Sequence, residues 1–371
     1  MPAFDRSLSD CRYYRAGGAN GSDACEGGRC LGSNMTMCWN ENAQNDDGFF
    51  YDNANAKHGV EVMRNASKNT QPFFIAVGIH RPHLPWDVPA HWFSLYPAAE
   101  DIELADHTTM PEDYGAAKQW SFDPQSGPRH CGPLKEDKEA PGSNKIPGWN
   151  VTDEYALVPD DVAKNFRRGY YAAVSSMDFN MGLVLDELAA LQLEERTIVV
   201  FLGDHAWQLG DIGEFGKKTN FERATRTPLI FRVPPSLLGK DGMAAHEAAR
   251  GADGVVRSMA LVEFVDIMPS LIDLAGLPMP DVCPPDASKT KLCREGASLK
   301  PVLAAPATTE DFRPAAFMQY PHCMHDEGLG WHNAWCDFRL TFFCQYLLLT
   351  FCSFWSNLPA PTLPTLAGAR T

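Results

Sequence analysis

The sequence predicts an α/β fold, a mostly parallel sheet flanked by helices, and three observations predict it. Short continuous apolar runs recur at residues 73–77, in "TIVVFL" from Thr197 and in "TPLIFRV" from Thr227. Unbroken runs of that length suit strands buried on both faces. Other stretches place apolar residues every three or four positions, the spacing of a helix that covers a sheet. The order strand, helix, strand, strand, helix is that of a layered α/β domain.

The elements follow along the chain. Residues 1–50 are rich in Gly, Asn, Asp and Cys without sustained periodicity, and read as an irregular segment. "NANAKHGVEVMRNAS" suits a short helix, and "QPFFIAVGIH" supplies the first strand. Residues 81–159 are dense in Pro, Gly, Trp and charge, a long irregular excursion of the kind that more often carries function than filler. A long helix comes next, with Val162, Phe166, Tyr170, Val174, Met177, Met181, Leu185, Leu188 and Leu191 on one face. Asp160 or Asp161 is its expected N-cap after Pro159. The second and third strands then lead to "SMALVEFVDIMPSLIDLAGL", helical in spacing despite Pro269. The expected organisation is an irregular segment over 1–50, the α/β core over 51–280, a partial C-terminal subdomain over 281–340 and a tail over 341–371. The tail's apolar part, about 16 residues, is shorter than the roughly 20 a spanning helix needs, so no membrane association is expected.

Hydrophobic content of 44% with 21% charged residues belongs to a core-forming protein. A net charge of −15 argues against a nucleic-acid partner. It leaves room for an anionic substrate, because a few local cations outweigh a distant background. The eleven cysteines form no CxxC pair and no zinc spacing. Sequons at Asn20, Asn34, Asn65 and Asn150 beside clustered cysteines point to a disulfide-permissive secretory route. The opening "MPAFDRSLSDCRYYR" has no apolar leader core, so the first residue is expected to be internal to a longer protein.

Two of the apolar runs end in residues capable of chemistry, and in open α/β sheets the carboxyl ends of strands line the ligand crevice. "FFIAVGIHRPH" delivers His80 and His83; "TIVVFLGDH" delivers Asp204 and His205. Alone, Asp204 reads as an N-cap and each histidine as a satisfied loop residue. Their coincidence at two strand ends points to a site. Asp204 offers a hard oxygen to a divalent cation, with His205 beside it. The glycines of "GDIGEFG" let the loop return Lys217 to the same place, where an ammonium can anchor a sulfate or phosphate. Trp207 either walls a sugar ring or packs the loop.

"PFFIAVGIHRPHLPW", "GYYAAVSSMDFNMGLVLDELAAL", "TIVVFLGDHAWQLGDIGEFGKKTNFERATRTPLIFRVP" and "LVEFVDIMPSLIDLAGLP", in this order between about residues 72 and 299, resemble the sulfatase family of the alkaline phosphatase-like superfamily. The resemblance implies a sulfuric ester hydrolase acting on uronate 2-sulfate groups of sulfated polysaccharides, in glycosaminoglycan degradation, at a lysosomal or extracellular location. It implies a calcium ion with Asp204 and His205 among its ligands. His80 is implied to contact the sulfate or leaving oxygen, Lys217 a sulfate oxygen, and His83 and Trp207 are implied to be pocket walls. "CPPDASKTKLCREGASL" resembles the family's disulfide loop and implies a Cys283–Cys293 bond. The family's nucleophile is a formylglycine made from Cys in a Cys-x-Pro/Ala-x-Arg motif, and its metal site also uses an Asp-Asp pair after the first strand. Neither is expected here. "CGPLK", from Cys131 to Lys135, ends in Lys and lies downstream of His80, while Asp46-Asp47 and Asp160-Asp161 follow no apolar strand. The expectation is therefore an incomplete sulfatase that does not turn over. The alternatives are another sulfatase or phosphoester hydrolase of the superfamily, or a non-catalytic glycan-binding protein.

Overall fold

A computed structural model of the chain describes residues 50–109 (except 84, 85 and 87), 158–306 (except 214, 218, 219 and 287–289), 312–324 and 335–344. The chain divides into two compact units, one of residues 1–234 with 320–339 and one of residues 235–319 with 340–371, so that the two C-terminal strands each run from one unit into the other.

In the first unit, helix α1 spans Tyr51–Ser67 and buries Ala56, Gly59 and Met63 on one face. Asp52 in its first turn and Arg64 in its last complement the helix dipole. A single turn, α2 (Ala90–Phe93), follows Pro89. The long predicted helix is α3, Asp160–Ala190, and its buried residues Val162, Phe166, Gly169, Ala173, Ser176 and Asn180 recur at steps of three and four. Its N-cap is Pro159, so neither Asp160 nor Asp161 caps it by side chain. Both instead lie in the first turn, where a carboxylate meets the positive end of the helix.

α1 lies against α3. Arg64 donates from Nε and Nη2 to the two carboxylate oxygens of Glu187, at 2.8 and 2.7 Å. Deeper in, Asn53 donates to Asn180 at 2.9 Å. One core cluster gathers Trp86, Val88, Phe93, Val162, Phe166 and Phe215; a smaller one gathers Met63, Leu188 and Leu193.

The remaining elements of this unit are β1 (Val199–Leu202), β2 (Gln208–Leu209), β3 (Phe215–Gly216), α4 (Glu222–Thr225) and β4 (Leu229–Arg232). The sequence leads one to expect a mostly parallel sheet; the pairings of this unit among the described residues are antiparallel. β1 pairs with β4 antiparallel, Val199 opposite Arg232 and Leu202 opposite Leu229, and β2 pairs antiparallel with β3. The reason lies in the connection: a parallel pair needs a covering crossover helix, and the described residues of the 203–228 excursion hold a hairpin, a single 3-10 turn and the four-residue α4. The run at 73–77 joins no ladder among the described residues. It buries alternate residues: Ile75, Val77 and Ile79 are half-buried, while Phe74 is 75% exposed. The continuous apolar run therefore covers one face, not two. Its inner face rests on α1 at Gly59, where a Cβ would lie 2.7 Å from Val77 Cγ2.

In the second unit lie α5 (Gly239–Ala249), α6 (Ile267–Leu274) and α7 (Lys300–Ala304). The helix expected across 258–277 is shorter. Residues 258–263 are irregular, Glu263 and Asp266 form a capping box, and Pro269 sits in the first turn of α6, where no N–H partner is needed. Buried Asp266 accepts from Ala297 N–H at 2.8 Å and Arg313 Nη2 at 2.6 Å. Cys283 and Cys293 form a disulfide with their Cα atoms 4.8 Å apart. Strands β5 (Ala315–Met324) and β6 (Trp335–Cys344) pair with each other, so the apolar C-terminal stretch begins inside a strand. No helix among the described residues is long and apolar enough to cross a membrane.

Candidate active site

Two arms of the first unit meet at the site. The first arm begins where β1 ends. Gly203 N–H donates to Pro228 O at 3.2 Å, and Ala206 N–H to Ala224 O at 2.9 Å, which pins the turn that presents Asp204 and His205. The Asp204 carboxylate is 86% exposed, with Oδ2 3.4 Å from His205 Nε2. His205 Nδ1 lies 2.9 Å from Ala206 O. A carbonyl can only accept, so Nδ1 carries the proton and Nε2 keeps its lone pair. That lone pair accepts from Lys217 Nζ at 2.8 Å.

Lys217 arrives on the β2–β3 hairpin. Gly210, Gly213 and Gly216 take φ of 96°, 79° and 144°, values that L side chains avoid. Phe215, 2% exposed, anchors the return strand with its ring 5.4 Å from that of Phe166. Lys217 Nζ stands 5.8 Å from the Trp207 ring centroid, within reach of a cation–π attraction.

The second arm is the end of the 73–79 run. Asp52, at the start of α1, accepts from the backbone N–H groups of His80 (2.8 Å) and Arg81 (3.0 Å). Burial raises the Asp52 carboxyl above its ordinary range, opposed by Arg81 and these two N–H groups. The His80 ring lies 4.7 Å from that of His83, and His83 lies 6.2 Å from Trp207. Trp86, fully buried, ties this arm to the same core as Phe215: its Nε1 donates to Pro82 O at 3.0 Å and its ring meets Phe166 at 5.6 Å. Desolvation, then the charges of Arg81, His83 and Lys217, push His80 down to about 4, with Asp204 pulling weakly the other way.

The structure thus brings His80, His83, Trp207, Lys217, His205 and Asp204 into one continuous set of neighbours. Tyr51 and Asp52 are the residues the sequence reading missed. Nothing in the sequence ties a helix start to a strand end 28 residues away; an aromatic–acid pair ahead of an amphipathic stretch is its only trace. Cys131, Lys135 and the Asp46-Asp47 pair lie outside the described residues, as do Cys11, Cys25, Cys30 and Cys38. Asp160-Asp161 stands at the start of α3.

Asp204 fits one edge of a divalent cation's shell, and His205 would join it only by giving up the Lys217 contact that its Nε2 lone pair accepts. A carboxylate and one imidazole lone pair supply at most three donors, against the six to eight oxygens calcium takes. Among the described residues no group of three or more His, Cys, Asp and Glu side chains could hold a metal.

Residues 13–277 match the family model described as Sulfatase. The chain belongs to the sulfatase family, which hydrolyses sulfuric esters. Human iduronate 2-sulfatase is 33% identical over 262 residues, covering 68% of this chain and 45% of that protein. The mouse iduronate 2-sulfatase is 32% identical over 273 residues, covering 71% and 47%. The chain therefore spans about half the length of these relatives. Among solved structures, the phosphonate monoester hydrolase of Agrobacterium radiobacter matches with a TM-score of 0.58 over 92% of this chain and 62% of that one. At 18% identity this is a likeness of fold.

Proposed function

We propose that the chain carries the sulfate-binding face of an iduronate-2-sulfatase-type site, which removes 2-O-sulfate from uronate residues of sulfated polysaccharides. One observation supports this above the others: Lys217 Nζ, 2.8 Å from His205 and 5.8 Å from the Trp207 ring, sits beside the exposed Asp204 in a cradle that His80 and His83 continue. In this reading Lys217 binds a sulfate oxygen and His80 faces the ester oxygen that leaves. His83 and Trp207 wall the sugar, an apolar ring with a polar rim being suited to such a face. A calcium ion held in part by Asp204 and His205 would offset the negative charge of the sulfate. Four sequons and the Cys283–Cys293 bond support a lysosomal or extracellular setting.

The 371 residues contain no Cys-x-Pro/Ala-x-Arg motif. The expected behaviour is binding without turnover. Calorimetry with inorganic sulfate or a uronate 2-sulfate disaccharide should show binding, and Lys217→Ala should weaken it about ten- to a hundredfold, the value of one hydrogen bond to a charged group. Hydrolysis of a sulfate ester by this chain at an ordinary enzymatic rate would contradict the reading. The phosphonate monoester hydrolase fold makes phosphate the informative competitor; tighter binding of phosphate than sulfate would favour a phosphoester hydrolase instead.

A further inference from the structure

Arg81 is 4% exposed, and one nitrogen of its guanidinium meets two neighbours. Nη1 donates to Tyr51 Oη at 2.8 Å and stands 3.0 Å from His80 Nδ1. A guanidinium nitrogen has two hydrogens and no acceptor capacity, and it stays charged at every relevant pH. Both contacts are therefore donations, one hydrogen to each partner. Nδ1 must be the acceptor, which leaves the imidazole proton on Nε2.

We propose that Arg81 is a positioning residue that holds His80 as its neutral Nε2–H tautomer, so that the site meets a hydrogen-bond donor in place of a base or an imidazolium. The surrounding structure supports that arrangement. The guanidinium lies 5.4 Å from the Tyr51 ring centroid, and the same ring meets His80 edge-on at 5.4 Å. Asp52 fixes the backbone of both residues through its two N–H contacts. Of the charged or titratable groups around His80, Arg81, His83 and Lys217 disfavour a second proton on its ring and Asp204 favours one, while Tyr51 meets the ring edge-on and Asp52 holds its backbone N–H. The significance of the tautomer rests on the proposed sulfatase reading. Sulfate and alkoxide oxygens only accept, so an Nε2 lone pair would repel them, and an Nε2–H stabilises the leaving oxygen as its bond to sulfur breaks. A neutral donor also does this unchanged across mildly acidic pH.

The test is nuclear magnetic resonance of the full chain with isotope-labelled histidine, the His80 signals being identified by their loss in His80→Gln. The expected spectrum at neutral and mildly acidic pH shows one unprotonated Nδ1 and one protonated Nε2. Arg81→Met should give a mixture of tautomers, and imidazolium as the pH falls, whereas Arg81→Lys should retain most of the Nε2–H form. An Nδ1–H or doubly protonated His80 in the unaltered chain would overturn the proposal, and that measurement stands even where Arg81→Met fails to fold. An unchanged single tautomer in folded Arg81→Met would overturn it as well. Inorganic sulfate added to the same sample addresses the functional reading separately: no perturbation of the His80 Nε2 signal counts against an oxyanion site and leaves the tautomer assignment intact.

Discussion

The segment 79–83 and the segment 203–207 each bring an imidazole to one site, and they bring it in opposite electronic states. At His80, a guanidinium occupies Nδ1 and the outward nitrogen donates. At His205, a backbone carbonyl takes the Nδ1 proton and the outward nitrogen accepts, its lone pair filled by Lys217. The difference lies in what stands behind each ring, since the second ring nitrogen sets the role of the first. One residue type thus turns a donor outward at His80 and an acceptor outward at His205 within a single cradle.

The two arms also differ in what supports them, and this can be broken experimentally. Both hang on one aromatic core, Trp86 for the His80 arm and Phe215 for the Lys217 arm, each against Phe166. Trp86→Ala and Phe215→Ala should each cost about 3–5 kcal/mol of stability, read by denaturant unfolding. If the core is shared as described, each variant also shifts the histidine signals of the other arm. Signals that move on one arm alone would show the arms to be independent.

A smaller and selective effect is expected at Gly59, where α1 seats on the run that carries His80. Gly59→Ala forces a methyl against Val77 and should cost roughly 1–3 kcal/mol. It should disturb the His80 signals, through the displacement of Tyr51 and Asp52, and spare those of His205. Equal disturbance of both would remove the distinction between the arms.

The smallest effect is the pH dependence of folding. An unfolded chain protonates His80 near the ordinary imidazole value of about 6.5, and the folded protein resists until about 4. The unfolded state therefore binds the extra proton through that window, and stability falls as the pH drops from about 6.5 toward 4, with no contribution above it. Unfolding midpoints across this range should fall less steeply in His80→Gln than in the unaltered chain. Equal slopes would mean that the ring is not desolvated.

Much of the site was legible before the structure, because strand-end chemistry leaves a local mark. An apolar run ending in Asp204-His205, another ending in His80 and His83, and a glycine-rich return to Lys217 are all contiguous patterns. The long helix was legible too, since thirty residues of regular spacing average out individual exceptions; the helix runs Asp160–Ala190. Strand pairing was not. An apolar run states that a strand is buried, and the structure showed 73–77 to be buried on one face, with β1 and β4 antiparallel. Pairing direction depends on the path of the connection between strands, which hydropathy does not encode.

The sequence by itself determined which candidate residues stand at the strand ends, their order and the family to which the chain belongs, because each is written in short spans of covalently linked residues. Only the tertiary structure decided which hydrogen each imidazole carries. That assignment depends on Tyr51, Asp52 and Arg81 meeting across 28 to 30 residues, and on Lys217 reaching His205 through a folded hairpin. A proton's position on a histidine ring follows from what lies within about 3 Å of it, and folding alone sets those neighbours.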